Sequence, residues 1–212
     1  MGVFDGCLLA CDIDGTLISN DIIPQENVEK IDFFMREGGM FSLATGRTPG
    51  AVSAVLEKLG KVSPSVYGNG CMIYDFNEQR FLYEEFISDN AKAFTKEIMD
   101  KMPDVGIEIH SGTNVLVVRE TQETIDHEKY ESIEAKSIDY DEVLVYNWDK
   151  AIFFLNSVAQ RPQIEALAEK YMSDCGFVKT TATVYGTVRH YYEQLSKTAS
   201  KGAGVLKLWE LF

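Results

Sequence analysis

Short apolar runs alternate with amphipathic stretches over the first third of the chain. Cys7-Leu8-Leu9-Ala10-Cys11 is a continuous apolar run, as expected of a strand buried on both faces. Pro24 opens a helix whose apolar stripe includes Val28, Ile31 and Met35, stopped by Gly38-Gly39. Met40 to Ala44 reads as a second buried strand. Thr48-Pro49 begins a helix with Val52, Val55, Leu56 and Leu59 on one side, ended by Gly60. Ser65-Val66-Tyr67 is a short third strand that runs into Gly68-Asn69-Gly70. This strand–helix order predicts an α/β fold, a Rossmann-like parallel sheet covered by helices.

From Cys71 the texture changes. Cys71–Tyr74 and Phe81–Glu85 flank a turn-like Asp75-Phe76-Asn77-Glu78, the pattern of a hairpin. Ser88-Asp89 caps a helix reaching Met102. Ile107–His110 and Val115–Val118 alternate as strands, and the acidic stretch from Glu120 to Glu142 is weakly patterned, read as helix plus solvated loop. A strand at Ala151–Leu155, a helix at Pro162–Tyr171 and strands at Phe177–Thr183 and Thr187–Gln194 follow. This is the order of a small α+β domain, a second sheet with helices on one face. The expected division is a core of residues 1–74 and 195–212 carrying an inserted cap of residues 75–194.

Charge and cysteine usage narrow the partners. The 212 residues carry a formal net charge of −13, which repels phosphate backbones at long range and argues against a nucleic-acid binder. No apolar run approaches the ~18 residues of a membrane span. The first residues hold no basic n-region, so neither a secretory signal nor a membrane partner is expected. Cys7 and Cys11 lie roughly 13 Å apart along a strand, too far for a disulfide, and Cys71 and Cys175 form no CxxC pair. The expectation is free thiols in a reducing cytoplasm.

The sharpest chemical signal is Asp12-Ile13-Asp14-Gly15-Thr16-Leu17, directly after the first strand. Two carboxylates two residues apart project to one side, at the carboxyl edge of the sheet where open α/β folds bind ligands. Gly15 lets the chain turn away. Such carboxylates repel unless a divalent cation lies between them or one keeps a proton. A calcium loop would need glycine where Leu17 stands. After the second strand, Thr45-Gly46-Arg47 offers a hydroxyl and backbone N–H groups as an oxyanion cradle. Lys201, in Ser200-Lys201-Gly202, opens the last helix, where a cation opposes the helix dipole and wants an anion nearby. Lys197 is the alternative register. Asn69, between two glycines, either contacts a ligand or turns the chain.

Together these motifs resemble the haloacid dehalogenase superfamily phosphatases, in the Cof-type branch with an α/β cap. The resemblance implies that Asp12 is the nucleophile, Asp14 the general acid/base, and Thr45 and Lys201 catalytic groups on the phosphoryl oxygens. It further implies that Gly46, Arg47 and Asn69 meet substrate, and that Mg²⁺ is held by Asp12 and the backbone carbonyl of Asp14. The implied reaction is hydrolysis of small phosphorylated metabolites, sugar-phosphate-like, through an aspartyl phosphate. A cap over the carboxyl edge would close on substrate and set specificity.

One element of that pattern is not found. The family's further acidic ligands, typically GDxxND, do not follow Lys201, after which Glu210 is the only acid. This raises the alternative of a truncated or non-catalytic phosphate-binding protein of the same fold. A phosphomutase is a further alternative, because the same aspartyl phosphate can be passed to a sugar hydroxyl. The missing element also leaves an uncovered edge beside the first strand, which predicts self-association into a homo-oligomer, or low stability and poor metal affinity as a monomer. The Mg²⁺ site should be weak, and ordinary Mg²⁺ affinity would point to Glu193 as a substitute ligand.

Overall fold

The computed structural model describes residues 2–18 and 22–212. The chain packs as two compact units, Met1–Glu84 with Ala199–Phe212, and Glu85–Thr198.

In the first unit β1 (Leu8–Cys11) and β2 (Met40–Leu43) pair in parallel, Cys11 opposite Leu43. The α/β expectation holds, with a mixed rather than wholly parallel sheet. An isolated parallel bridge, Ala44 to Val66, joins β2 to β3 (Ser65–Tyr67). Hydroxyls supplement this sparse ladder: Ser42 Oγ donates to the Pro64 carbonyl at 2.8 Å, and Ser65 Oγ accepts from the Leu43 N–H at 2.9 Å. β4 (Met72–Asp75) and β5 (Arg80–Glu84) continue antiparallel from β3. Their turn is shaped by Asp75, whose carboxylate accepts from the N–H groups of Asn77 and Glu78.

That hairpin moves the boundary. A division at 74/75 would cut β4 from its own partner; the ladder β3-β4-β5 keeps residues up to Glu84 in the first unit. At the other end β11 (Thr187–Ser196) stays paired to Ser196, so the second crossing falls after Thr198 instead of Gln194.

Helix α1 (Gln25–Arg36) follows Pro24 and packs on β2 and against α2 (Ser53–Leu59), itself preceded by a 3₁₀ turn at Pro49–Val52. Gly60 ends α2 at φ 75°. The final helix, numbered α7 below, spans Lys201–Glu210 and packs on β3 and β4. Leu208 there is fully buried with Ala44, Val66 and Ile73, and Leu8 and Ala10 pack on the same cluster. The expectation that β1 is buried on both faces is corrected. Leu9, which points to the other face, is 46% exposed, so that face of β1 is open at this position.

The second unit is a six-stranded sheet. Its strands are β6 (Gly106–Ser111), β7 (Asn114–Arg119), β8 (Ala135–Ser137), β9 (Lys150–Leu155), β10 (Cys175–Val184) and β11, in the order β10-β11-β9-β6-β7-β8. All neighbours are antiparallel except β7 and β8. Helices α3 (Asp89–Lys101) and α6 (Arg161–Ala168) enclose the main core with the short α5 (Tyr140–Val143). Phe94 sits at its centre, edge-on to Phe153 and Phe177. Helices were expected on one face only. Instead α4 (Gln122–Glu131) packs over β6, β9 and β10 on the opposite face, against Phe154 and Tyr191. No helix of the described residues is long and apolar enough to cross a membrane.

Candidate active site

The four sequence signals of the first unit converge on the loops that follow its parallel strands. β1 and β2 end side by side, so Asp12 follows one and Thr45 the other. Gly15 adopts φ 74° and the chain doubles back, with the Leu17 N–H donating to the Asp12 carbonyl at 3.2 Å and the Ile18 N–H to the Ile13 carbonyl at 2.9 Å. This tight turn leaves both carboxylates accessible, Asp12 half-buried and Asp14 exposed.

Lys201 reaches Asp12 across the sheet, Nζ to Oδ2 at 2.7 Å. Ser200 caps α7 by accepting from the Ala203 N–H at 3.1 Å, which fixes where the helix begins and so where Lys201 stands. The cation that opposes the helix dipole therefore has its anion. Lys197 is excluded as the alternative register: it belongs to the second unit and donates to the Ser173 carbonyl.

Thr45 is fully buried, and its Oγ1 accepts from the Arg47 N–H at 3.1 Å. The loop is tied to β3 by the Thr45 N–H on the Val66 carbonyl, the Asn69 N–H on the Thr45 carbonyl and the Gly68 N–H on the Arg47 carbonyl, each at 3.0 Å. Arg47 turns its guanidinium onto Asp14, Nη2 to Oδ1 at 2.7 Å and Nε to Oδ2 at 3.0 Å. Gly46 faces Asn69, whose Oδ1 lies 2.9 Å from where a Cβ on Gly46 would stand. Asn69 itself sits at φ 58°, ψ 25° between Gly68 and Gly70, both also at positive φ. Gly70 meets α7 so closely that a Cβ there would lie 2.0 Å from the Ser200 carbonyl oxygen.

Asp12 and Asp14 thus each carry one basic partner. As metal ligands, the Asp12 carboxylate and Asp14 carbonyl are hard oxygen donors. Oxygen donors of this kind suit a hard divalent cation such as Mg²⁺. Among the described residues no group of three or more His, Cys, Asp or Glu side chains is arranged to hold a metal. Glu193 does not extend the set: it lies on β11, where Lys150 Nζ approaches Oε2 at 3.2 Å and Thr180 Oγ1 donates to Oε1.

A second polar cluster lies outside every motif legible in the sequence. Glu108 on β6 is fully buried with both histidines on it: His127 Nδ1 lies 3.1 Å from Oε2, and His110 Nε2 lies 3.4 Å from the same oxygen. Burial pulls His127 down, but Glu108, helped by Glu131, outweighs it and holds the imidazole up at about 10. Burial alone would raise Glu108; the two histidines hold it below the usual carboxylate range. Burial and the nearby Lys150 charge keep His110 below its ordinary value. No spacing rule signals this site, because two residues on a strand and one from a distant helix meet only in the folded unit.

The haloacid dehalogenase-like hydrolase family matches residues 9–212 of the sequence. An uncharacterized hydrolase of Schizosaccharomyces pombe is 40% identical over 75 residues, 34% of this chain and 25% of that protein, so the matched stretch spans a quarter of that relative. A HAD/COF-like hydrolase structure from Plasmodium vivax is 25% identical, with a TM-score of 0.74 over 99% of this chain and 75% of that one. A subclass IIB sugar phosphatase superposes with a TM-score of 0.76 at 17% identity, covering 97% of this chain and 76% of its own. The chain belongs to the haloacid dehalogenase-like hydrolase family and carries the fold of its Cof-type members.

Proposed function

We propose that this protein hydrolyses small phosphate monoesters, sugar phosphates foremost, through an aspartyl phosphate on Asp12. The observation that carries the reading is the pairing of Asp12 with Lys201 at 2.7 Å, with Asp14 two residues on in the same turn. A free carboxylate would repel an incoming phosphate dianion; a lysine held on it offsets that charge and can follow the phosphoryl oxygens.

An Asp12 oxygen bonds to phosphorus as the ester P–O bond breaks, and Asp14 gives its proton to the leaving oxygen. Asp14 then takes a proton from water as that water attacks phosphorus. The P–O bond to Asp12 breaks, returning the carboxylate and inorganic phosphate. Thr45 Oγ1 already accepts from the Arg47 N–H, so its own O–H is left to donate to a phosphoryl oxygen. Gly46 keeps the floor of that cradle free of side chain, and Asn69 lies beside it. Mg²⁺, on the Asp12 carboxylate and the Asp14 carbonyl, would supply further charge neutralisation when bound. The second unit is proposed as the part that selects among esters. The shared fold of a subclass IIB sugar phosphatase supports sugar phosphates as the first class to assay.

The test is turnover of p-nitrophenyl phosphate and a hexose 6-phosphate with Mg²⁺ present. Asp12→Asn should abolish both. Turnover retained by that variant would refute the nucleophile. Phosphate binding without turnover in the unaltered protein would favour a non-catalytic phosphate binder.

A further inference from the structure

Asp14 is 55% exposed along its side chain, whereas Arg47 is only 15% exposed. The solvent-exposed partner of this pair is therefore the carboxylate, and the enclosed one is the guanidinium. Arg47 comes from the loop after β2, not from Asp14's own strand, and three bonds hold it: its N–H on Thr45 Oγ1, its carbonyl on the Gly68 N–H, and Nη1 on the Ala51 carbonyl at 3.3 Å. Nε and Nη2 meet the two carboxylate oxygens separately, which sets the plane of the carboxyl group as well as its position. A single ammonium can do the first but not the second.

We infer that Arg47 is a positioning residue for Asp14, rather than a substrate ligand as its motif implies, because its bidentate hold from a second strand fixes how the acid/base carboxyl is presented to the leaving oxygen. This rests on the phosphatase reading above. General acid–base assistance depends on that presentation, and a displacement of about 1 Å can cost on the order of 10²-fold in rate. The role predicts a dependence on the leaving group. An alkyl ester leaves as an alkoxide and needs the proton; p-nitrophenolate leaves well without it.

Arg47→Lys and the charge-removing Arg47→Gln are assayed on a hexose 6-phosphate and on p-nitrophenyl phosphate, alone and combined with Asp14→Asn. Expected are a loss of kcat of roughly 10²-fold on the alkyl ester, a loss at least ten times smaller on the aryl ester, and KM within about threefold for both. In the Asp14→Asn background the same Arg47 change should alter kcat less than about threefold, since nothing remains to position. A rise in KM on both esters with kcat unchanged would make Arg47 a substrate ligand. Equal losses on the two esters, or full additivity with Asp14→Asn, would make it a structural residue. Either overturns the positioning role and leaves the phosphatase reading standing. Absence of Asp12-dependent turnover in the unaltered protein overturns both. Should Arg47→Lys fail to fold, the cycle is read on Arg47→Gln.

Discussion

Glu108, His110 and His127 place three ionisable groups in one dry site on β6 and α4, and the direction of each shift sets a pH dependence. His127 is held above its ordinary 6.5, at about 10, so its contribution to stability is complete below pH 6.5 and is lost as pH rises through that window. His110 and Glu108 are held below 6.5 and 4.5, so their contributions are present above those values and lost as pH falls. Thermal melting across pH should therefore show greatest stability near pH 6.5, falling in both directions. Glu108→Leu strands the His127 charge; it should cost about 3–5 kcal/mol and flatten the alkaline decline. An unchanged melting profile in that variant would show the site to be hydrated. The catalytic candidates were legible because each motif is contiguous: a carboxylate pair, a Thr-Gly-Arg turn and a capped lysine read directly off the chain. Arg47's hold on Asp14 was not, since the partners are separated by 33 positions.

The elements read best wherever burial and hydrophobicity coincide. α3, with buried Ala91, Phe94 and Ile98, shows its stripe in the sequence. α4 does not, because the residues it buries are Thr124 and His127, and a helix that docks through polar side chains leaves no apolar period to find. β1 misled for the opposite reason: five consecutive apolar residues predict two covered faces, yet Leu9 is exposed. At this scale α7 has the clearest dependence. Its first turn is placed by Gly70, at φ 107° and in contact with the Ser200 carbonyl. Gly70→Ala should cost about 1–3 kcal/mol in backbone strain and push Ser200, and so Lys201, away from Asp12. Turnover should fall far more than the melting temperature; a variant with ordinary kcat would show that Lys201 finds Asp12 without this contact.

For the whole molecule, the sequence revealed an insertion but set its ends about ten residues early at one side and four at the other. Hairpin residues look alike whichever sheet they extend; only the pairing of β4 with β3 assigns them. The second unit has its own core around Phe94, Trp148 and Phe153, all fully buried. Residues 85–198 expressed alone should melt cooperatively, checked by circular dichroism, and Phe94→Ala should lower that transition by about 3–5 kcal/mol. Exchanging the same segment for a relative's should change which esters are hydrolysed while Asp12→Asn stays inactive; an unchanged substrate profile would count against the second unit as selector.

The first and last residues of that unit, Glu85 and Thr198, are hydrogen-bonded to each other through their side chains. Topologically the insertion is a closed ring with one narrow neck. An unfolded insert of on the order of a hundred residues would make the first unit bear a loop-closure entropy of roughly 4 kcal/mol to bring residues 84 and 199 together. A folded insert has already closed that loop, so it acts on the first unit as a crosslink does, without a covalent bond. Folding order follows: the insert stands to form first, and β1 to β5 with α7 assemble around a junction it has already drawn tight.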